Sequence, residues 1–191
     1  SSDVCSSDLA LDAGAVILTS AGTMPDDAFG RFTHDLEGTG TFVCADMHGD
    51  ALVAALDGGP LDLLKVSEDD LADDGWSMGT EQQAVDAARE LRRRGATTVV
   101  VSRGGEPAIA ATGERVVRIV PPELREVDHR GAGDSMSGAM VAARLGGLDP
   151  VDALRFGAAA GAGNVTRHGL GSGDRDLVER LAELVELEDL A

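Results

Sequence analysis

The stretch from Leu61 to Ser102, LDLLKVSEDDLADDGWSMGTEQQAVDAARELRRRGATTVVVS, decides the fold class. Leu61 to Val66 is a short apolar run that reads as a buried strand, and Ser67 stands where a hydroxyl caps an acidic helix start. Across Glu81 to Arg94, apolar Ala84, Val85, Ala88 and Leu91 share one side of a helix. Arginines gather at its end, and Gly95 stops it. Thr97 to Ser102 is again a β-branched, apolar strand. Strands alternating with helices imply a mostly parallel sheet with helices on both faces.

Working outward, Ala15 to Ser20 is a strand ending in Ala21-Gly22, and Pro25-Asp26-Asp27 opens a helix to Leu36. Thr41 to Ala45 is a strand, followed by an Asp46-Met47-His48-Gly49 turn and a helix over Ala51 to Leu56. Downstream, Ala108 to Ala111 and Val116 to Val120 flank Thr112-Gly113-Glu114 in a hairpin pattern that Pro121-Pro122 ends. Helices are then expected over Asp134 to Leu145, Asp149 to Val165 and Asp174 to Leu187. The reading is one three-layer α/β/α domain, with a mostly parallel sheet and one late hairpin. The opening SSDVCSSDL lacks periodicity, so residues 1–9 are read as a non-native leader and residues 10–191 as the domain.

Composition narrows the function. Of 191 residues, 34 are acidic and 16 basic, a net charge of −18 that argues against nucleic acid and anionic membrane surfaces. No apolar run is long enough to span a bilayer, and no secretory leader is visible, so the expected compartment is the cytoplasm. Cys5 and Cys44 suggest no disulfide framework, and His34, His48, His129 and His168 are too scattered for a zinc site. Only Lys65 is a lysine; the other fifteen basic residues are arginines.

The strongest chemical feature is Gly131-Ala132-Gly133-Asp134-Ser135-Met136 at a helix start. Small residues let successive N–H groups turn toward one point, and the helix adds unpaired N–H groups and the positive end of its dipole. An anion fits there. Asp134 beside it either accepts a proton from a nucleophilic hydroxyl or simply favours the helix start by charge. Gly157, Gly161 and Gly163 within one helix call for a close neighbour, either a nucleotide or another helix. Asp73 and Asp74 read as a solvated acidic face, Trp76 as a packing residue, and Arg130 as solvated.

DHRGAGDSMSGAM, residues 128–140, resembles the C-terminal motif of the PfkB family of carbohydrate kinases, the ribokinase superfamily. Further segments agree in the family's order. They are Ser20 to Pro25, Asp46 to Leu52, Lys65 to Leu71, Ser102-Arg103-Gly104 and Arg155 to Gly169. The resemblance implies Asp134 as general base, with Gly131, Ala132 and Gly133 as the anion hole for the phosphoryl group. It implies ATP and Mg²⁺, with Lys65 and Ser67 facing phosphates and metal and Asp70 on the acidic position associated with the metal. Ser102 and Gly104 correspond to a loop against the nucleotide, while Met136, Ala158 and Gly161 enclose its base and ribose. Asp128 matches a position that holds a monovalent cation in some members.

The sequence also departs from the pattern. Ser67 replaces Asn, Asp70 replaces Glu, Val66 replaces Pro, Pro107 replaces a second Gly and Arg130 replaces a small residue. The family's early sugar-binding segment and β lid have no counterpart before Ala10. Residues 10–191 therefore look like the C-terminal nucleotide-binding and catalytic part of a kinase acting on a sugar or sugar phosphate. The resemblance leans toward the phosphofructokinase and tagatose-6-phosphate kinase branch, with a homodimer as the family's usual assembly. Two alternatives stand beside it: a nucleotide-binding module with decayed catalysis, and a kinase for a nucleoside or vitamin precursor.

Overall fold

A computed structural model describes residues 13–19, 24–168 and 173–190. The leader, Cys5 and the Ser20 to Thr23 part of the family resemblance lie outside the described residues. The chain runs β1 (Ala15–Thr19), α1 (Asp26–Leu36), β2 (Phe42–Asp46), α2 (Gly49–Gly58), β3 (Leu61–Ser67), α3 (Glu68–Asp73) and α4 (Glu81–Arg93). It continues through β4 (Ala96–Arg103), β5 (Glu106–Thr112), β6 (Arg115–Val120), α5 (Ala132–Leu145), α6 (Pro150–Asn164), α7 (Arg175–Ala182) and β7 (Glu186–Leu190).

The seven strands form one sheet in sequence order. β1 to β4 pair in parallel, and β5, β6 and β7 each pair antiparallel with the strand before them. Five strands, β1 to β4 and β6, therefore point the same way. Alternation along the strands divides the core. Val43, Leu64, Val66, Val99, Val101 and Ile109 pack under α1 to α4. Cys44, Leu63, Val100, Ala110, Val117 and Ile119 pack under α5 to α7. The three-layer expectation holds. Cys44 is a free, buried thiol that desolvation pushes up to about 12, so it is a core residue with no thiolate chemistry near neutral pH.

The helix expected over Asp174 to Leu187 is corrected. It ends at Ala182, and Glu186–Leu190 is a strand on β6. Leu181, Leu184, Leu187 and Leu190 recur every third residue, a helical spacing, but only the first is buried and Leu184 is 60% exposed. The last two lean against opposite layers of the core, as strand positions of opposite parity do. Ion pairs of Arg115 with Asp189 (2.9 Å) and Arg118 with Glu188 (2.5 Å) tie the strand down, so tertiary pairing overrides the local pattern.

Pro107 sits inside β5 without breaking the sheet. The β4–β5 register steps from Val101↔Ile109 to Arg103↔Glu106, leaving Pro107 and Ala108 opposite Ser102 alone. The missing N–H thus falls at a bulge.

The clustered glycines of α6 serve helix packing. A Cβ on Gly157 would lie 2.4 Å from Met140 Cγ and 3.2 Å from the Met136 carbonyl oxygen. One on Gly161 would meet the Ala132 carbonyl at 3.3 Å, and one on Gly163 would meet Leu181 of α7 at 3.3 Å. Gly138 of α5 has open space instead. Gly157→Ala should therefore destabilise the fold by about 1–3 kcal/mol through overpacking. Gly138→Ala should stabilise it by about 0.5–1 kcal/mol through backbone entropy, both read from denaturant midpoints.

Candidate active site

The carboxyl ends of β2 and β3 meet the first turns of α5, at the end of an open α/β sheet where ligands bind. Sheet register sets Asp46 beside Lys65 and Ser67 beside Ser102. Lys65 is 8% exposed, and its ammonium donates to Asp46 Oδ1 at 3.1 Å. A buried ammonium is costly unless paired, so Asp46 is what keeps Lys65 there as a cation.

α5 opens on Gly131 in the left-handed conformation, φ +74°, which favours glycine. Its first N–H, that of Ala132, donates to the His129 carbonyl, and the Ser135 N–H donates to Gly131. The N–H groups of Gly133 and Asp134 find no acceptor among the described residues. Beneath them lies Lys65: a Cβ on Gly133 would fall 2.7 Å from Lys65 Nζ. Two N–H groups without an acceptor among the described residues, the positive end of the helix dipole and one ammonium therefore lie at one helix turn, a setting that suits a phosphoryl group. The Asp134 carboxylate is exposed at the same turn, with no ion pair or hydrogen bond to any described residue. It is available as a proton acceptor.

The loop before α5 is anchored from α6. The Val165 carbonyl accepts from the N–H groups of Val127 (2.7 Å) and Asp128 (3.1 Å). Asn164, 1% exposed, donates from Nδ2 to the Arg130 carbonyl at 2.7 Å and accepts from Ser135 Oγ at 3.1 Å. Asn164 was not among the expected site residues. Its signal in the sequence is a lone amide closing a helix of small and apolar residues.

The remaining expected residues divide into groups. Ser67 and Asp70 are engaged with each other in a capping box: Ser67 Oγ accepts from the Asp70 N–H (3.0 Å) and donates to Asp70 Oδ2 (2.5 Å). Ser102 and Gly104 lie at the end of β4, where Ser102 Oγ reaches the Val66 carbonyl at 3.5 Å and Gly104 makes the turn at φ +59°. Met136 and Ala158 are core residues under α5 and α6, and Gly161 lies at their crossing. Asp128 accepts from Arg130 Nε (3.0 Å) and Nη2 (2.7 Å), so Arg130 is exposed yet ion-paired. That guanidinium holds the Asp128 carboxyl far below the usual carboxylate range.

No group of three His, Cys, Asp or Glu side chains among the described residues forms a metal cluster. Mg²⁺ in phosphate sites takes only one or two carboxylates and completes its shell with water and phosphate oxygens. Asp46 ends β2, and Asp70 lies in the first turn of α3, directly after β3.

Asp74 differs from the solvated face expected of it. It holds the turn after β2, accepting from the Gly49 N–H at 2.6 Å and meeting His48 Nδ1 at 3.2 Å. Gly49 adopts φ +65°, and Asp70 lies 3.9 Å from the other His48 nitrogen. The Asp74 hydrogen bond, reinforced by the charges of Asp70 and Asp73, raises His48 above its ordinary 6.5.

Comparison with known proteins bears on this geometry. The pfkB family carbohydrate kinase profile matches residues 50–176. The ATP-dependent 6-phosphofructokinase isozyme 2 of Escherichia coli is 31% identical over 166 residues, 84% of this chain and 54% of its own length. The 1-phosphofructokinase of Vibrio cholerae is 29% identical over 149 residues, 78% of this chain and 47% of its own. The crystal structure of phosphofructokinase-2 from Escherichia coli in complex with potassium superimposes with a TM-score of 0.83 at 25% identity, covering 93% of this chain and 60% of that one. The chain spans about half the length of the curated relatives it matches.

Protonated His48 stabilises the folded chain fully below its unfolded value, and the contribution is lost as pH rises through the higher folded value. Thermal melts from about pH 6 to about pH 9 should show wild type losing its advantage over His48→Gln across that rise. A difference that does not change with pH would show that His48 is not held as a cation.

Proposed function

The chain belongs to the pfkB family of carbohydrate kinases, and from that membership we propose that it carries the nucleotide-binding and catalytic part of an ATP-dependent kinase. The acceptor is a hydroxyl of a sugar or sugar phosphate, of the fructose 1-phosphate or fructose 6-phosphate class. The observation that carries this reading is the Asp134 carboxylate, unpartnered among the described residues, beside the N–H groups of Gly133 and Asp134 that find no acceptor there, with the Lys65 ammonium beneath them.

In this reading Asp134 takes the proton of the attacking hydroxyl. The Gly133 and Asp134 N–H groups, at the positive end of α5, neutralise charge on the phosphoryl group in transfer. Lys65 supplies a compact point charge from below, fixed by Asp46. Asp70 would hold Mg²⁺ through its water shell, and the ion would offset the negative charge of the phosphates. The phosphate cradle fits a nucleotide. Asp128 is our candidate for a monovalent cation, with Arg130 as the competing charge. We assign the activity to the cytoplasm. A homodimer is the proposed assembly.

The closed Ser67–Asp70 pair favours one second reading, a module that binds nucleotide without transferring phosphate. ADP release with Mg-ATP and fructose 1-phosphate, fructose 6-phosphate, tagatose 6-phosphate or ribose separates the two. The expected result is acceptor-dependent ADP in a chain of the relatives' length, falling about 10²–10⁴-fold in kcat for Asp134→Ala. ATP binding without turnover would select the second reading. Turnover within a few-fold of wild type in Asp134→Ala would remove Asp134 from the base role.

A further inference from the structure

α5 carries a polar residue in its buried face that the phosphate cradle does not use. Ser137 is 1% exposed, and its Oγ donates to Asp46 Oδ2 at 3.0 Å. The other oxygen of that carboxylate accepts from Lys65 Nζ at 3.1 Å. Ser137 follows Gly133 by four residues, so both lie on the side of α5 that faces the strand ends. Gly133 clears space for the ammonium, and Ser137 fastens the carboxylate that holds it.

We infer that Ser137 is a positioning residue: through Asp46 it fixes the Lys65 ammonium under the first turn of α5. The chemistry is simple. A carboxylate with one partner rotates about its last torsion and carries that partner with it, whereas one held at both oxygens presents a fixed acceptor. A Lys stem has four rotatable bonds and no preferred fork, so the direction of its charge is set by what holds the ammonium. Without the Ser137 hydroxyl, Asp46 Oδ2 loses its only side-chain donor among the described residues. The catalytic part of the inference rests on the kinase reading above; the structural part does not.

Lys65 being the only lysine makes the inference directly measurable, because acylation of its amine is read by mass spectrometry without a competing lysine. Ser137→Ala should stay folded and acylate at Lys65 on the order of tenfold faster, since the ammonium is released more often, the worth of one hydrogen bond to a charged group. Ser137→Thr, which keeps the hydroxyl, should acylate at the wild-type rate. In the Asp46→Asn background Ser137→Ala should add nothing, the signature of two residues acting as a unit. In turnover assays kcat should fall on the order of tenfold in Ser137→Ala, while KM for ATP changes less.

Unchanged acylation of Lys65 in folded Ser137→Ala would overturn the inference, as would an additive loss in the Asp46→Asn background. A wild-type chain that turns over no acceptor would remove the kinase reading alone, because the acylation rates still decide whether Ser137 holds Lys65. Should Ser137→Ala fail to fold, Ser137→Cys, which keeps the volume but carries only a weak S–H donor, supplies the comparison: faster acylation of Lys65 is expected, and the wild-type rate would overturn the inference.

Discussion

The ion pair of Lys65 with Asp46 is the point on which the candidate site depends. Each partner ends or nearly ends a parallel strand, and the register of β2 with β3 puts them side by side. Buried at the sheet's end, neither charge is tolerable alone. Together they make a small polar platform in an apolar layer, and α5 is seated on it through Gly133 and Ser137. The helix therefore starts where the chain's one ammonium is, and its free N–H groups and dipole add to that charge. Asn164 and the Val165 carbonyl secure the same turn from α6.

This arrangement also explains why α5 and α6 are so rich in small residues. The first turn of α5 must drop onto the strand ends, so α6 must approach its flank without bulky side chains between them. Gly157 and Gly161 meet α5 backbone and Met140 at close range. The positions that the family resemblance assigns to enclosing a nucleotide, Met136, Ala158 and Gly161, build this seam.

Much of the fold was legible because its signals are local and agree with one another. The apolar runs of β3 and β4, the Ser67 cap and the amphipathic α4 each point to the observed element. β7 was not legible, because Leu181, Leu184, Leu187 and Leu190 repeat with helical spacing and the pairing that makes a strand lies some seventy residues away. In the site, the Gly-Ala-Gly-Asp turn was readable from residue type alone. Ser137 and Asn164 were not, because a single buried hydroxyl or amide gains meaning only from the partner it meets. Asp74 was read as solvated for the same reason: its partners, His48 and Gly49, stand far away in sequence.

The ammonium under α5 gives the composition a second meaning. Everywhere else the chain carries positive charge on arginine, fifteen times over. A guanidinium is a flat fork with five donors, suited to the carboxylates it grips at Asp128, Asp189 and Glu81. Between Asp46 and the bare face of Gly133 sits instead a compact ammonium, so close that a side chain on Gly133 would displace it. The one departure from arginine thus falls at the start of α5, and an otherwise uniform choice of cation marks the site by its single exception.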